Sequence, residues 1–177
     1  MSAPHPVVRG FPPVSASDSR VLVLGSMPGI ASLQAMQYYA HGQNRFWPIM
    51  GELVGALPCL PYAQRLQRIT AAGIALWDVL AACEREGSLD SAIRDSTAQA
   101  NDFRRFLAAH AAIRTVLFNG AKAEDSFRRF VLPHLGDFDL SYRRLPSTSP
   151  ANASQDVASK LAAWREALGT AKATLLT

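Results

Sequence analysis

The feature that most constrains this chain is a short apolar run, Val21-Leu22-Val23-Leu24, that breaks at once into Gly25-Ser26-Met27-Pro28-Gly29. Consecutive apolar residues bounded by glycine and proline read as a strand buried on both faces. The same sentence structure recurs. Strands are expected over 20–24, 74–76 and 115–118, the last ending in Asn119-Gly120. A fourth, over 138–145, is partly polar and suits a sheet edge. It runs into Pro146-Ser147-Thr148-Ser149-Pro150.

Helical spacing fills the intervals. A short helix is predicted over 32–37. Phe46, Ile49, Met50, Leu53 and Val54 recur at helical spacing over 44–56, with Asn44 as N-cap. Further helices are predicted over 62–72, 102–110, 121–131 and 154–168. The stretch 84–99 is polar and rich in turns. Strands alternating with helices imply a parallel sheet covered on both faces. The loops at the carboxyl ends of such strands gather in one crevice. Three are distinctive: 25–29 with its continuation to Trp47, Asn119-Gly120, and 147–152.

With 177 residues, 49% of them hydrophobic, the chain suits one domain with a substantial core. A proline- and serine-rich arm over 1–18, a single domain over 19–170 and a tail over 171–177 are expected. No apolar stretch approaches the ~18 residues of a membrane span, and the first residues lack a hydrophobic signal region. A monomeric cytoplasmic protein without membrane association is the expectation. Cys59 and Cys83 lie far apart, so neither a disulfide framework nor a cysteine-bound metal or cluster is expected. The formal net charge is +4, carried mostly by arginines that suit phosphate partners.

The loops carry the chemistry. Gly25-Ser26-Met27-Pro28-Gly29 lacks the Lys-Ser/Thr ending of a phosphate loop. Its glycines offer exposed N–H groups and close approach of a ligand. Tyr39-Ala40-His41-Gly42-Gln43-Asn44 crowds an aromatic, a histidine and an amide into six residues. Tyr39 suits a stacking platform for a planar ligand. Asn44 either caps its helix or presents its amide to a ligand. The hydroxyls of Ser147 and Ser149 suit phosphate or sugar contacts.

Taken in order, GFPP (10–13), LGSMPG (24–29), YYAHGQNRFW (38–47), IALWDVL (74–80), REGSLDSAI (85–93), FNG (118–120) and LPSTSPAN (145–152) resemble the uracil-DNA glycosylase superfamily, and within it the hypoxanthine-DNA glycosylase branch. The resemblance covers about 10–168. It implies a three-layer α/β/α sandwich around a short, mostly parallel four-stranded sheet. It implies removal of a deaminated base from DNA, most readily hypoxanthine, with no cofactor and no metal. By the same resemblance Tyr39 stacks on the flipped base. Gly25, Ser26, Met27, His41, Asn119 and Ser147 border it, and Ser149, Pro150, Ala151 and Asn152 meet the DNA strand. Mismatch-specific relatives carry a water-positioning asparagine where this chain has Met27. In the hypoxanthine branch the catalytic asparagine falls on Asn44. Pro150, Ala151 and Asn152 stand where other members place a large apolar wedge.

No lysine falls in a signature loop, so a monofunctional enzyme using water is expected. The alternatives are a uracil- or mismatch-specific glycosylase of the same fold, and a catalytically weak nucleic-acid-binding protein. A hydrolase built on Ser26, a histidine and Asp78 has no Gly-X-Ser-X-Gly elbow to support it.

Overall fold

The computed structural model describes residues 5–173. Its strands are β1 (Val7–Arg9), β2 (Val21–Gly25), β3 (Ile74–Asp78), β4 (Leu80–Glu84), β5 (Gln99–Ala100), β6 (Thr115–Asn119) and β7 (Ser141–Leu145). Its helices are α1 (Ile30–Ala35), α2 (Phe46–Val54), α3 (Tyr62–Ala71), α4 (Phe103–Ala109), α5 (Ala121–Ser126), α6 (Leu132–Leu135) and α7 (Val157–Ala173).

The main sheet has four strands in the order β3-β2-β6-β7, all parallel. Side chains of successive strand residues point to opposite faces. Leu22, Leu24, Ala75, Trp77, Val116 and Phe118 therefore face one way, onto the buried side chains of α4 and α5. Val21, Val23, Ile74, Leu76 and Leu117 face the other, onto Phe46, Ile49 and Met50 of α2, Ile69 of α3 and the fully buried Trp164 of α7. This is the expected three-layer α/β/α sandwich, with β7 at the edge.

A second, antiparallel sheet in the order β1-β4-β5 departs from the sequence reading. After Asp78 the chain leaves the main sheet, and β4 pairs with β1 in the register Val8↔Cys83. The expected N-terminal arm thus enters the fold from β1 onward, while its residues 1–4 lie outside the described residues. It is stitched down further along. Trp77 Nε1 donates to the Phe11 carbonyl at 3.1 Å, and the Tyr38 hydroxyl donates to the Pro12 carbonyl at 2.9 Å. At the other end α7 runs through Ala173, past the expected domain boundary at 170, and 174–177 lie outside the described residues.

Two helix boundaries have a direct cause. α2 ends at Val54 because Gly55 takes a left-handed φ of 75°, and its N–H returns to the Gly51 carbonyl. The helix predicted over 121–131 continues to Leu135 through a wide turn over Phe127–Val131. Pro133 cannot donate a backbone hydrogen bond, and the wider turn ahead of it accommodates the ring.

Candidate active site

The carboxyl ends of β2, β3 and β6 open into a cleft of about 760 Å³. Gly25, Ser26, Met27, Tyr39, His41, Asn44, Asn119, Ser147, Ser149, Pro150, Ala151 and Asn152 all border it. The loops that hold them lie far apart in sequence and meet because parallel strands deliver their ends to one side of the sheet.

The first wall is the 25–29 turn. The Val79 N–H donates to the Gly25 carbonyl at 2.9 Å, and the Leu80 N–H to the Ser26 carbonyl at 3.1 Å. Ser26 Oγ donates to Asp90 Oδ1 at 2.5 Å. Its partner is a carboxylate and not a histidine, so the Ser26–His–Asp78 arrangement is not assembled. Met27 is only 6% exposed and belongs to the apolar core beneath the cleft. Behind the turn lies Arg85, 1% exposed, donating through Nη2 to the Pro28 carbonyl and through Nε to the Gly87 carbonyl. Ser88 Oγ accepts the Ile30 N–H at 2.9 Å. The polar 85–90 stretch is therefore the buttress of the first wall.

The second wall is the 38–47 segment. Tyr39 has a left-handed φ of 56°, an uncommon conformation for a bulky residue. Phe46 stacks on its ring with centroids 4.0 Å apart and planes 24° apart. The ring borders the cleft, and its hydroxyl is buried without a hydrogen-bond partner. Burial, reinforced by Asp78 and opposed by the nearby Asn119 amide, pushes that phenol far up. His41 is exposed at the rim, where its Nδ1 accepts the Gln43 N–H at 3.1 Å.

Asn44, the expected N-cap, stands one residue before the cap position. Arg45 occupies the cap position and has no side-chain cap bond. Asn44 Oδ1 instead accepts the Phe46 N–H at 2.9 Å. The amide oxygen thus does capping work, while the Nδ2 donors are not engaged in that bond. Capping therefore uses only the oxygen end of the Asn44 side chain.

The third wall is the 145–152 loop. Asn119 Nδ2 donates to Thr148 Oγ1 and the Thr148 N–H donates to Asn119 Oδ1, both at 2.9 Å. Gly120 passes beside Ser147 so closely that an added Cβ would lie 2.9 Å from the Ser147 Cβ. Ser147 Oγ accepts the Ser149 N–H, Ser149 Oγ accepts the Ala151 N–H, and Asn152 Nδ2 donates to the Ser147 carbonyl, each at 3.2 Å. The serine hydroxyl hydrogens are left to donate elsewhere. Lys160, 3% exposed, donates to the Asn152 carbonyl at 2.6 Å.

Sequence reasoning missed several of these groups. Thr148, Asp90 and Ser88 border the cleft. Asp78 does so too, a residue the sequence suggests only as part of the hydrolase arrangement. A carboxylate closing an apolar strand, as in Ile74-Ala75-Leu76-Trp77-Asp78, was the available signal. Asp78 is 4% exposed. Burial, with the nearby Asp90 adding and Arg85 opposing, pushes its carboxyl up to about 7. Lys122 also borders the cleft, two residues past the Phe-Asn-Gly motif, with its ammonium 2.6 Å from Asp95 Oδ1.

Among the described residues no group of three or more His, Cys, Asp or Glu side chains is arranged to hold a metal ion. Among those residues, no helix is long and apolar enough to cross a membrane.

Comparison with known proteins places this site in context. The sequence model of the Uracil DNA glycosylase superfamily matches residues 12–168. The hypoxanthine DNA glycosylase of Methanosarcina barkeri is 35% identical over 160 residues, covering 90% of this chain and 96% of that protein. The protein of the same name from Methanosarcina acetivorans is 36% identical over 147 residues, covering 82% and 89%. The solution NMR structure of a candidate uracil DNA glycosylase from Methanosarcina acetivorans superposes with a TM-score of 0.77 at 32% identity, covering 94% of this chain and 99% of that one.

Proposed function

This chain belongs to the uracil DNA glycosylase superfamily, and on that premise we propose that it is a monofunctional DNA glycosylase that releases hypoxanthine from DNA and leaves an abasic site. The carrying observation is Tyr39, backed on one face by Phe46 at 4.0 Å and bordering a cleft large enough for a base with its sugar.

A base within a duplex is unreachable, so the nucleotide rotates out of the stack at a cost of a few kcal/mol. The extruded base lies along the Tyr39 ring and recovers stacking energy there. The Asn44 amide, fixed at its oxygen by Phe46, directs a water towards the sugar C1′. The glycosidic bond breaks with oxocarbenium character on the sugar and negative charge on the base. Polar groups already fixed around the cleft stabilise that charge without reorganising. The hydroxyls of Ser147 and Ser149 donate to the strand phosphates, with Pro150, Ala151 and Asn152 beside them.

Lys122 does not serve as an amine nucleophile. Its ammonium is held by Asp95, and Schiff-base formation needs the neutral amine. Water remains the nucleophile, and the strand is not cut.

The test uses duplexes carrying a single hypoxanthine, uracil or xanthine, followed by alkali. Strand cleavage only after alkali, fastest with hypoxanthine, is the expected result. Fastest release of uracil would favour the uracil-specific reading, which the structural relative motivates. Tight binding with no abasic product on any duplex would overturn the enzymatic reading.

A further inference from the structure

The mouth of the cleft carries two large apolar side chains that the fold leaves uncovered. Leu89 is 57% exposed and Ile30 is 45% exposed. Both border the cleft on the side of the 25–29 turn. A single exposed leucine is ordinary on a protein surface. Two such residues at the mouth of a ligand cleft, presented by a buttressed loop, mark a place where something apolar is met.

The backbone that presents Leu89 is fixed on both sides. Ser88 Oγ accepts the Ile30 N–H, and Asp90 Oδ1 accepts from Ser26. Arg85, 1% exposed, ties the same loop to the Pro28 carbonyl. Leu89 itself is extended, with φ −75° and ψ 136°, and its carbonyl accepts the Ala92 N–H at 3.1 Å. Its two neighbours thus turn their side chains to the first wall, and the leucine between them is left to solvent. Across the cleft the rim is different in kind. Ser149, Pro150, Ala151 and Asn152 present no long apolar side chain there.

Resting on the glycosylase reading, we propose that Leu89 enters the duplex from the first-wall side and fills the space that the extruded nucleotide leaves in the base stack. A vacated position exposes the faces of the bases above and below it to water. A leucine between them covers both, and branched apolar side chains inserted at base steps are a general means of holding a duplex open. The contact exists only after the nucleotide has left, so it favours the extruded state over the paired one. It offers nothing to a base that is already unstacked. Leu89 therefore acts on duplex DNA and not on the bond-breaking step.

Two measurements test this on the wild type, Leu89→Ala and Leu89→Asn, the last close to leucine in size but polar. The first is single-turnover release of hypoxanthine from a fully paired duplex and from a single-stranded oligonucleotide of the same sequence. The second is the fluorescence of 2-aminopurine placed beside a 2′-fluorinated hypoxanthine nucleotide, whose glycosidic bond resists cleavage. Leu89→Ala and Leu89→Asn should each lose about tenfold on the duplex, as expected for a half-exposed leucine that becomes buried only on the DNA. On the single strand both should stay within about twofold of wild type, because no stack has to be opened. Wild-type protein should raise the 2-aminopurine fluorescence of the duplex, and each variant should give less than about half that rise. Both variants should melt at the wild-type temperature, since Leu89 packs against little in the fold. Wild-type duplex rates in Leu89→Ala overturn the proposal, and so does an equal loss on duplex and single strand, which would place the effect in the chemistry. Wild-type behaviour of Leu89→Asn overturns it too, because apolar character would then be irrelevant. A wild type that releases no base from any DNA defeats the glycosylase reading, and the fluorescence measurement then decides the role of Leu89 alone.

Discussion

Asn119 and Thr148 exchange two hydrogen bonds, side chain to side chain and main chain to side chain, both 2.9 Å long. Thr148 is fully buried. The pair ties the end of β6 to the middle of the 145–152 loop. The Asn119 amide thereby works on both of its ends to hold the cleft wall. Asn119→Ala strands the Thr148 N–H, at an expected cost of about 1–3 kcal/mol. Thr148→Val removes only one bond and costs less. A double-mutant cycle by denaturant unfolding should give a coupling energy of at least about 0.5 kcal/mol. Additive effects would show that the two bonds do not act together.

The water-directing role proposed for Asn44 can be measured apart from its observed bond to the Phe46 N–H. Asn44→Ala frees the Phe46 N–H and costs about 1 kcal/mol of stability. Base release should fall far more, by at least about 100-fold, because the water loses its orienting group. Asn44→Ser restores an oxygen that accepts from the backbone, so its unfolding midpoint should recover while its rate does not. Full recovery of both would remove Asn44 from the chemistry.

The buried carboxyl of Asp78 makes stability fall as pH rises. Burial pushes it up to about 7, from the 3.8 of a solvated aspartate. Between those values the folded chain keeps a proton that the unfolded chain has released, so unfolding becomes easier as pH increases. Asp78→Asn removes the penalty. Its melting temperature should exceed that of the wild type at pH 8, by the equivalent of a few kcal/mol at most, and the difference should shrink towards pH 4. Parallel melting curves across that range would show that burial does not perturb the group.

Lys122 supplies a direct check on the nucleophile. Borohydride added during turnover of a hypoxanthine duplex should trap no covalent protein–DNA adduct, because the amine is held in its ion pair with Asp95. A trapped adduct that disappears in Lys122→Ala would establish amine catalysis.

Much of the fold is legible in the sequence because its evidence is local. The run Val21-Leu22-Val23-Leu24 buries alternate residues on opposite faces, and all four are buried. The spacing of Phe46, Ile49 and Met50 marks one helix face. What escaped reading depends on distant pairings. Val8 finds Cys83 across most of the N-terminal half, and nothing in Val7-Val8-Arg9 announces it. The same holds for the site. Glycine turns and the aromatic segment are visible along the chain, but the buried Asp78 Oδ2, which has no hydrogen-bond partner among the described residues, is not. Its isolation follows from Asp90 pairing with Ser26 and Arg85 with Pro28, which only folding decides.

The Arg45 N–H donates to the Thr148 carbonyl at 2.9 Å, so the loop carrying Tyr39 and Asn44 is fastened to the loop carrying Ser147. Together with the Asn119 pair, this couples two walls of the cleft before any ligand arrives. A receptor held in this way spends little on rearrangement when it binds. The deformation must then come from the other partner. Sites where the helix is already loosened, by a mispair, a nick or a single-stranded stretch, are where this protein should work fastest.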